Sequence, residues 1–170
     1  MVKKIFATVV ALAVLVAALV FFLNNETSVS YQKSGVQNKD GLYVNSKYKF
    51  SAVIPEGYSV REIKSDESDS IVMENTAGDG IQVMISPYSD IEVLTEQMVK
   101  QSIPDLEMKQ VQIIEVGEKY KGIAFLSNNP DFGGASRDVW FVFRGHLYQI
   151  STYERLDAVL KSMFSTWQFE

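Results

Sequence analysis

The stretch VWFVF, residues 139–143, is apolar at every position. Successive side chains of a strand point to opposite faces, so a strand of this composition has no face suited to water. A one-sided sheet would show alternation here, as the neighbouring YQIST at residues 148–152 does. Arg144-Gly145 forms a two-residue turn between the two runs, and a hairpin follows. The centre of the sheet must therefore be covered on both sides, by helices or by other parts of the chain.

Upstream lies SNNPDFGGAS, residues 127–136, between the apolar runs GIAFL and DVWFVF. Phosphate-binding loops need glycines that lead into a helix, as G-K-[ST] or G-x-G-x-x-G, whereas this segment leads into a strand and contains no lysine. It reads as a long hairpin connection in which the glycines permit reversal. Its second reading is a partner-docking tip of Asp131, Phe132, Gly133 and Gly134, with an exposed ring beside flexible glycines.

Alternation continues towards the amino terminus. LYV and YKFSAVI flank the turn-forming NSK, and Pro55-Glu56-Gly57 ends the second run. YSVREI, SIVMEN and IQVMIS follow, with KSDESDS and AGDG as turns. Residues 108–116 and 122–126 form a further pair turning at GEKYK. Two helices are expected. Ser89-Asp90-Ile91-Glu92 and Ser151-Thr152-Tyr153-Glu154 both match the capping box. Ile91, Leu94 and Met98 form one apolar face, ended by Pro104; Leu156, Val159, Leu160, Met163 and Phe164 form the other. TWQFE closes the chain as a short strand or tail burying Trp167 and Phe169. The order of hairpins, helix, hairpins, helix predicts an α+β fold with an antiparallel sheet flanked by helices.

Of 170 residues, 21 are acidic and 16 basic. Two of the basic ones, Lys3 and Lys4, precede residue 23 and every acid follows it, leaving 14 basic against 21 acidic residues, a balance of −7. Such a surface repels nucleic acid, and no basic patch interrupts it. The chain has no cysteine, which excludes disulfides, thiolate metal sites, thiol nucleophiles and a lipid-modified cysteine.

After Lys3-Lys4 comes an uncharged run, residues 5–23, whose one polar member is Thr8. At a helical rise of 1.5 Å it reaches roughly 28 Å, about one hydrocarbon core. Lysines before it and Glu26 after it predict a transmembrane anchor with the amino terminus in the cytoplasm and the remainder outside. A cleavable signal peptide is the rival reading. Its apolar stretch is usually shorter, and the small-x-small pairs Ala11/Ala13 and Val16/Ala18 fall inside the run, so cutting there leaves LVFFL at the mature end. Residues 24–41 are polar and aperiodic and read as a tether, with a reach of about 20–25 Å if flexible. The domain proper then spans residues 42–170, one ordinary domain in size.

The opening LYVNSKYKFSAVIPEGYSV is similar to the Y-x-N-x-x-Y-x-F-S-x-x-x-P-x-G-[WY] start of PsbP-like and DcrB-like extracytoplasmic domains. The close VWFVFRGHLYQISTYERLDAVLKSMFSTWQF resembles their ending, two strands joined by a tight turn and then a final helix and short tail. This resemblance covers residues 42–170 and implies an α/β/α sandwich around an antiparallel sheet. It also implies a protein that docks on membrane complexes or other partners rather than an enzyme: PsbP proteins assist photosystem assembly, and other relatives bind a small GTPase. The chain departs from many bacterial members in lacking a lipid-attachment cysteine, and Tyr58 stands where they often have tryptophan. The matching positions are core and turn positions, so no functional residue transfers.

Other chemistry has little support. A hydrolase would need a nucleophile and a carboxylate around His146, with Ser136, Asp138 and Ser151 near in sequence, yet no G-x-S-x-G elbow exists. One histidine cannot form an imidazole cluster. Asp66, Glu67 and Asp69 lack the glycine and terminal glutamate of a calcium loop and read as a solvated hairpin tip. The sequence therefore predicts no catalytic residue, cofactor or metal. It predicts a membrane-anchored, non-enzymatic extracytoplasmic domain binding an envelope protein partner. The alternative is a small-ligand or cation-binding module at residues 131–136 or 66–69.

Overall fold

The computed structural model describes residues 36–37, 41–89, 93–117 and 120–170. The expected membrane anchor at 1–23, most of the tether, residues 90–92 and two residues of the GEKYK turn lie outside these. Among the described residues no helix is long and apolar enough to cross a membrane.

Four short strands, β1 (Val36–Gln37), β2 (Leu42–Asn45), β3 (Phe50–Val53) and β11 (Gln168–Phe169), form a small sheet in the order β1-β2-β3-β11. Seven longer ones form the main sheet: β4 (Tyr58–Lys64), β5 (Asp69–Asn75), β6 (Gly80–Pro87), β7 (Met108–Val116), β8 (Tyr120–Ser127), β9 (Ser136–Phe143) and β10 (His146–Tyr153). Its order is β4-β5-β6-β10-β9-β8-β7, antiparallel throughout. Helix α1 (Glu96–Ser102) lies between β6 and β7, and α2 (Asp157–Phe164) follows β10. Val36 and Gln37, read from sequence as tether, pair with Val44 and Tyr43.

VWFVF occupies β9, between β8 and β10, and is buried at every position. Val139, Phe141 and Phe143 point into one core with Tyr43, Phe50, Tyr148, Leu160 and Trp167. Trp140 and Val142 point into the other with Leu94, Val99, Ile123 and Phe125. Both faces are thus covered, as the composition requires. The covers differ from the expected pair of helices. α1 and its approach serve one face, but the other is covered by the small sheet together with α2. The reason lies in the first hairpin: Tyr43, Phe50 and Ala52 are each at most 1% exposed and need an apolar surface of their own. Folding this hairpin over β9 and β10 supplies it, and the terminal Trp167 and Phe169 fill the remaining space. Phe141 stacks on Tyr148 with centroids 4.7 Å apart, and Trp167 meets Phe50 edge-on at 4.9 Å.

The motif Tyr43-x-Asn45-x-x-Tyr48-x-Phe50 has a polar as well as an apolar purpose. The Asn45 side-chain amide donates to the Tyr43 hydroxyl (2.9 Å), which donates to Glu62 Oε1 (2.6 Å) and so fastens β2 to β4 of the main sheet. Asn45 Oδ1 accepts the Tyr48 N–H at 3.0 Å, closing the turn. Burial, and then the bond to Glu62, push the Tyr43 hydroxyl well above the usual phenol range, so it stays a donor at all physiological pH.

Both helix starts differ from expectation. α1 begins at Glu96, and the Thr95 hydroxyl accepts the Met98 N–H at 3.3 Å, so Thr95 caps it; the rest of the Ser89 capping box, residues 90–92, lies outside the described residues. Leu94, expected on the helix face, is buried just before the helix. At the second site, β10 runs on through Ser151, Thr152 and Tyr153, which pair with Asp138, Arg137 and Ser136. Ser151 therefore caps nothing: after a single 3-10 turn (Glu154–Leu156), α2 starts without a side-chain cap. Arg137 Nε lies 2.9 Å from Asp157 in the first turn of α2, tying that helix end to β9.

Among the described glycines, Gly122 on β8 leaves the least room for a side chain. A Cβ there would stand 3.0 Å from the Trp140 carbonyl oxygen, 3.1 Å from Val116 Cγ2 and 3.2 Å from Phe141 Cβ. Gly122→Ala is expected to lower stability by about 1–3 kcal/mol through overpacking. Urea unfolding followed by tryptophan fluorescence checks this, and an unchanged midpoint contradicts it.

Candidate functional site: the loop between β8 and β9

Ser127 ends β8, Ser136 starts β9, and the two face each other in register as the stems of the intervening loop. Two residues on, Asp138 is 3% exposed, opposite Phe125 of β8 and Ser151 of β10. Its carboxylate accepts three hydroxyls. Oδ2 takes Ser127 at 2.8 Å and Ser136 at 2.6 Å, and Oδ1 takes Ser151 at 2.6 Å. The Asn129 N–H donates to Ser127 Oγ at 3.3 Å, carrying the network into the loop.

Burial raises the Asp138 pKa above its ordinary 3.8, and the serine hydroxyls and the Arg137 charge only partly offset it. A carboxyl whose folded pKa is raised binds protons more readily folded than unfolded, so its protonation favours the fold. Stability from this group is greatest near pH 3.8 and below, and declines as pH rises from there through the elevated folded value. Asp138→Asn is expected to flatten that slope. Melting temperatures of both proteins across this range are the check, and parallel curves contradict the assignment.

Beyond the stems, Pro130–Phe132 makes one 3-10 turn, with the Phe132 N–H on Asn129 O and the Gly133 N–H on Pro130 O. Gly133 and Gly134 have φ of +69° and +92°, the left-handed region that glycine enters without strain, and a Cβ on either would meet nothing within 4 Å. Phe132 is half-buried rather than exposed: its ring stands edge-on to Tyr153, centroids 5.3 Å apart. The Arg155 guanidinium lies 4.4 Å from the other aromatic contact, the Tyr153 ring centre, and also pairs with Asp79 at 2.6 Å. The rim thus combines two aromatic rings, one arginine and two glycines.

Of the residues named around His146, the structure gathers Ser136, Asp138 and Ser151 and leaves the histidine out. His146 pairs with Phe143 at the opposite end of β10, about 17 Å along the strand from Ser151 at ~3.4 Å per residue. Its Nδ1 is 2.9 Å from the Arg144 carbonyl oxygen, and its ring is edge-on to Tyr48 at 5.2 Å. No triad is assembled. The acidic turn also divides: Asp66 and Glu67 are exposed, whereas Asp69 is 7% exposed and pairs with Lys47 at 2.8 Å, so it is no solvated tip. Among the described residues, no three His, Asp or Glu side chains converge as a metal site would require.

Ser127 escaped the sequence reading, as did the Tyr153–Arg155–Asp79 rim. An aspartate heading an all-apolar run was the available signal, because a carboxylate there must find donors.

No family model matches the sequence, and no curated protein matches it. Among solved structures, it is similar to the solution structure of cyanobacterial PsbP (CyanoP) from Synechocystis sp. PCC 6803. The two superpose with a TM-score of 0.49 and 15% sequence identity, over 86% of this chain and 96% of that one.

Proposed function

We propose that this protein is a non-enzymatic domain held outside a membrane by residues 5–23, and that it binds a protein partner of the cell envelope through the β8–β9 loop, with residues 131–134 at the tip. The observation that carries this reading is the use made of Asp138. The carboxylate and serines that could have served a catalytic site are spent on one another at the base of a surface loop, and the histidine stands at the other end of the sheet. Polar chemistry here shapes a surface rather than attacking a substrate. Two rings and an arginine at the rim match the residue types that anchor protein interfaces. The location rests on the apolar run and the lysines ahead of it.

Membrane fractionation of cells making the full chain tests the location. The expected result is a protein that stays in the membrane pellet through alkaline carbonate extraction and whose domain is removed by protease added from outside. Recovery in the cytosolic fraction contradicts it.

A further inference from the structure

The loop at residues 128–135 lies largely at the surface. Asn128, Pro130, Gly133, Gly134 and Ala135 are exposed, and a Cβ on either glycine would meet nothing within 4 Å. The Phe132 ring on Tyr153, the Glu154 N–H on Ala135 O and the Glu107 N–H on Asn128 Oδ1 tie it to the rest of the fold. A segment exposed at most of its positions falls at the low-stability end of a domain. What lies beneath it is unusual for a hairpin base. Both stem residues are serines, 0% and 8% exposed, with oxygens 2.7 Å apart and both donating to one oxygen of the same carboxylate.

A buried ionised group is a poor route to stability, because well-packed apolar residues of similar volume often do as well or better. Its benefit is directional: a carboxylate fixes where its donors stand. We propose that Asp138 is a latch, holding the loop in one conformation by gathering a hydroxyl from each stem through Oδ2 while Ser151 secures Oδ1 to β10. The latch divides its labour by oxygen, and this makes it testable. Oδ2 governs the loop, and Oδ1 governs the seating of the carboxylate in the sheet. The latch holds the loop whether or not the loop docks anything.

The test is amide hydrogen exchange on the full chain, comparing the Ser127→Ala/Ser136→Ala double variant with Ser151→Ala. Serine to alanine removes one oxygen and leaves no void a methyl group would notice, so both variants are expected to fold. The double variant is expected to speed exchange at Gly133 and Gly134, which donate to Pro130 O and Asn129 O, by about tenfold. Amides of Val139 to Val142 and of Tyr148 to Ile150 should stay within about twofold of the parent. Ser151→Ala should leave the loop amides within about twofold as well. Three results overturn the latch: loop amides unchanged in the double variant, strand amides accelerated as much as loop amides, or Ser151→Ala loosening the loop equally. As a second variant, Asp138→Asn keeps the side-chain volume but offers one acceptor oxygen in place of two. It should loosen the loop by an intermediate factor, and loop exchange equal to the parent's counts against the proposal.

Discussion

Truncating Phe141 to alanine is expected to destabilise the domain by about 3–5 kcal/mol. Its side chain is fully buried at the centre of the larger core, stacked on Tyr148 and met edge-on by Phe164, Trp167 and Phe169. These neighbours come from β10, α2, β11 and the turn between them, so the cavity would open where main sheet, small sheet and helix converge. Little relaxation is available, because each surrounding ring is already held by others: Trp167 by Phe50 and Phe164, Phe169 by Phe143. Domains of this size are stable by roughly 5–15 kcal/mol, so the loss is a large fraction of the whole. Equilibrium urea unfolding measures it, and a loss below about 1 kcal/mol is incompatible with the packing described.

Trp140→Ala, one residue away and on the opposite face, is expected to cost a similar amount, about 3–5 kcal/mol. Here the neighbours are Phe125, edge-on at 5.8 Å, and the α1 side of the fold with Leu94 and Val99. The consequences should separate the two faces. Trp140→Ala should accelerate hydrogen exchange in α1 more than in α2, and Phe141→Ala the reverse, because each helix rests on its own core. Trp140→Phe should cost much less than alanine. The indole Nε1 is buried without a hydrogen-bond partner among the described residues, and phenylalanine removes that unsatisfied donor while keeping most of the ring. Were one face of the sheet open to water, one of these neighbouring truncations would be nearly free.

The strands were legible because their signals are local. Alternation in LYV, YSVREI and YQIST, the unbroken apolar run of VWFVF, and turns such as Arg144-Gly145 each fix an element within a few residues. The covers were not legible, since whether a hairpin joins the main sheet or folds over it depends on which distant surface needs burying. Tyr43 and Phe50 show that need only once β9 and β10 are in place. Helix starts failed for a related reason. Ser151 can cap a helix or extend a strand, and the eight-residue pairing of β10 with β9 outweighs one cap bond. At α1, Thr95 offers a second hydroxyl a few residues after Ser89, and it is the one that accepts the Met98 N–H.

At the loop, the sequence located the tip but misjudged its ring, because Phe132 packs on Tyr153, a residue brought near by strand register alone. The Asp138 network was half visible. Ser136, Asp138 and Ser151 lie close in sequence to the one histidine, but strand pairing gathers them around the aspartate instead. Ser127, eleven positions from Asp138, becomes a partner only when β8 and β9 are in register.

The proposal that the β8–β9 loop engages a protein partner is tested most directly by a photo-crosslinking residue at position 132, in full-length protein made in its own cells. The reading predicts one discrete higher-mass protein adduct in the membrane fraction, much weaker when the probe sits at exposed Ile113 on β7. Adducts of equal intensity from both positions, or none from position 132, would contradict it.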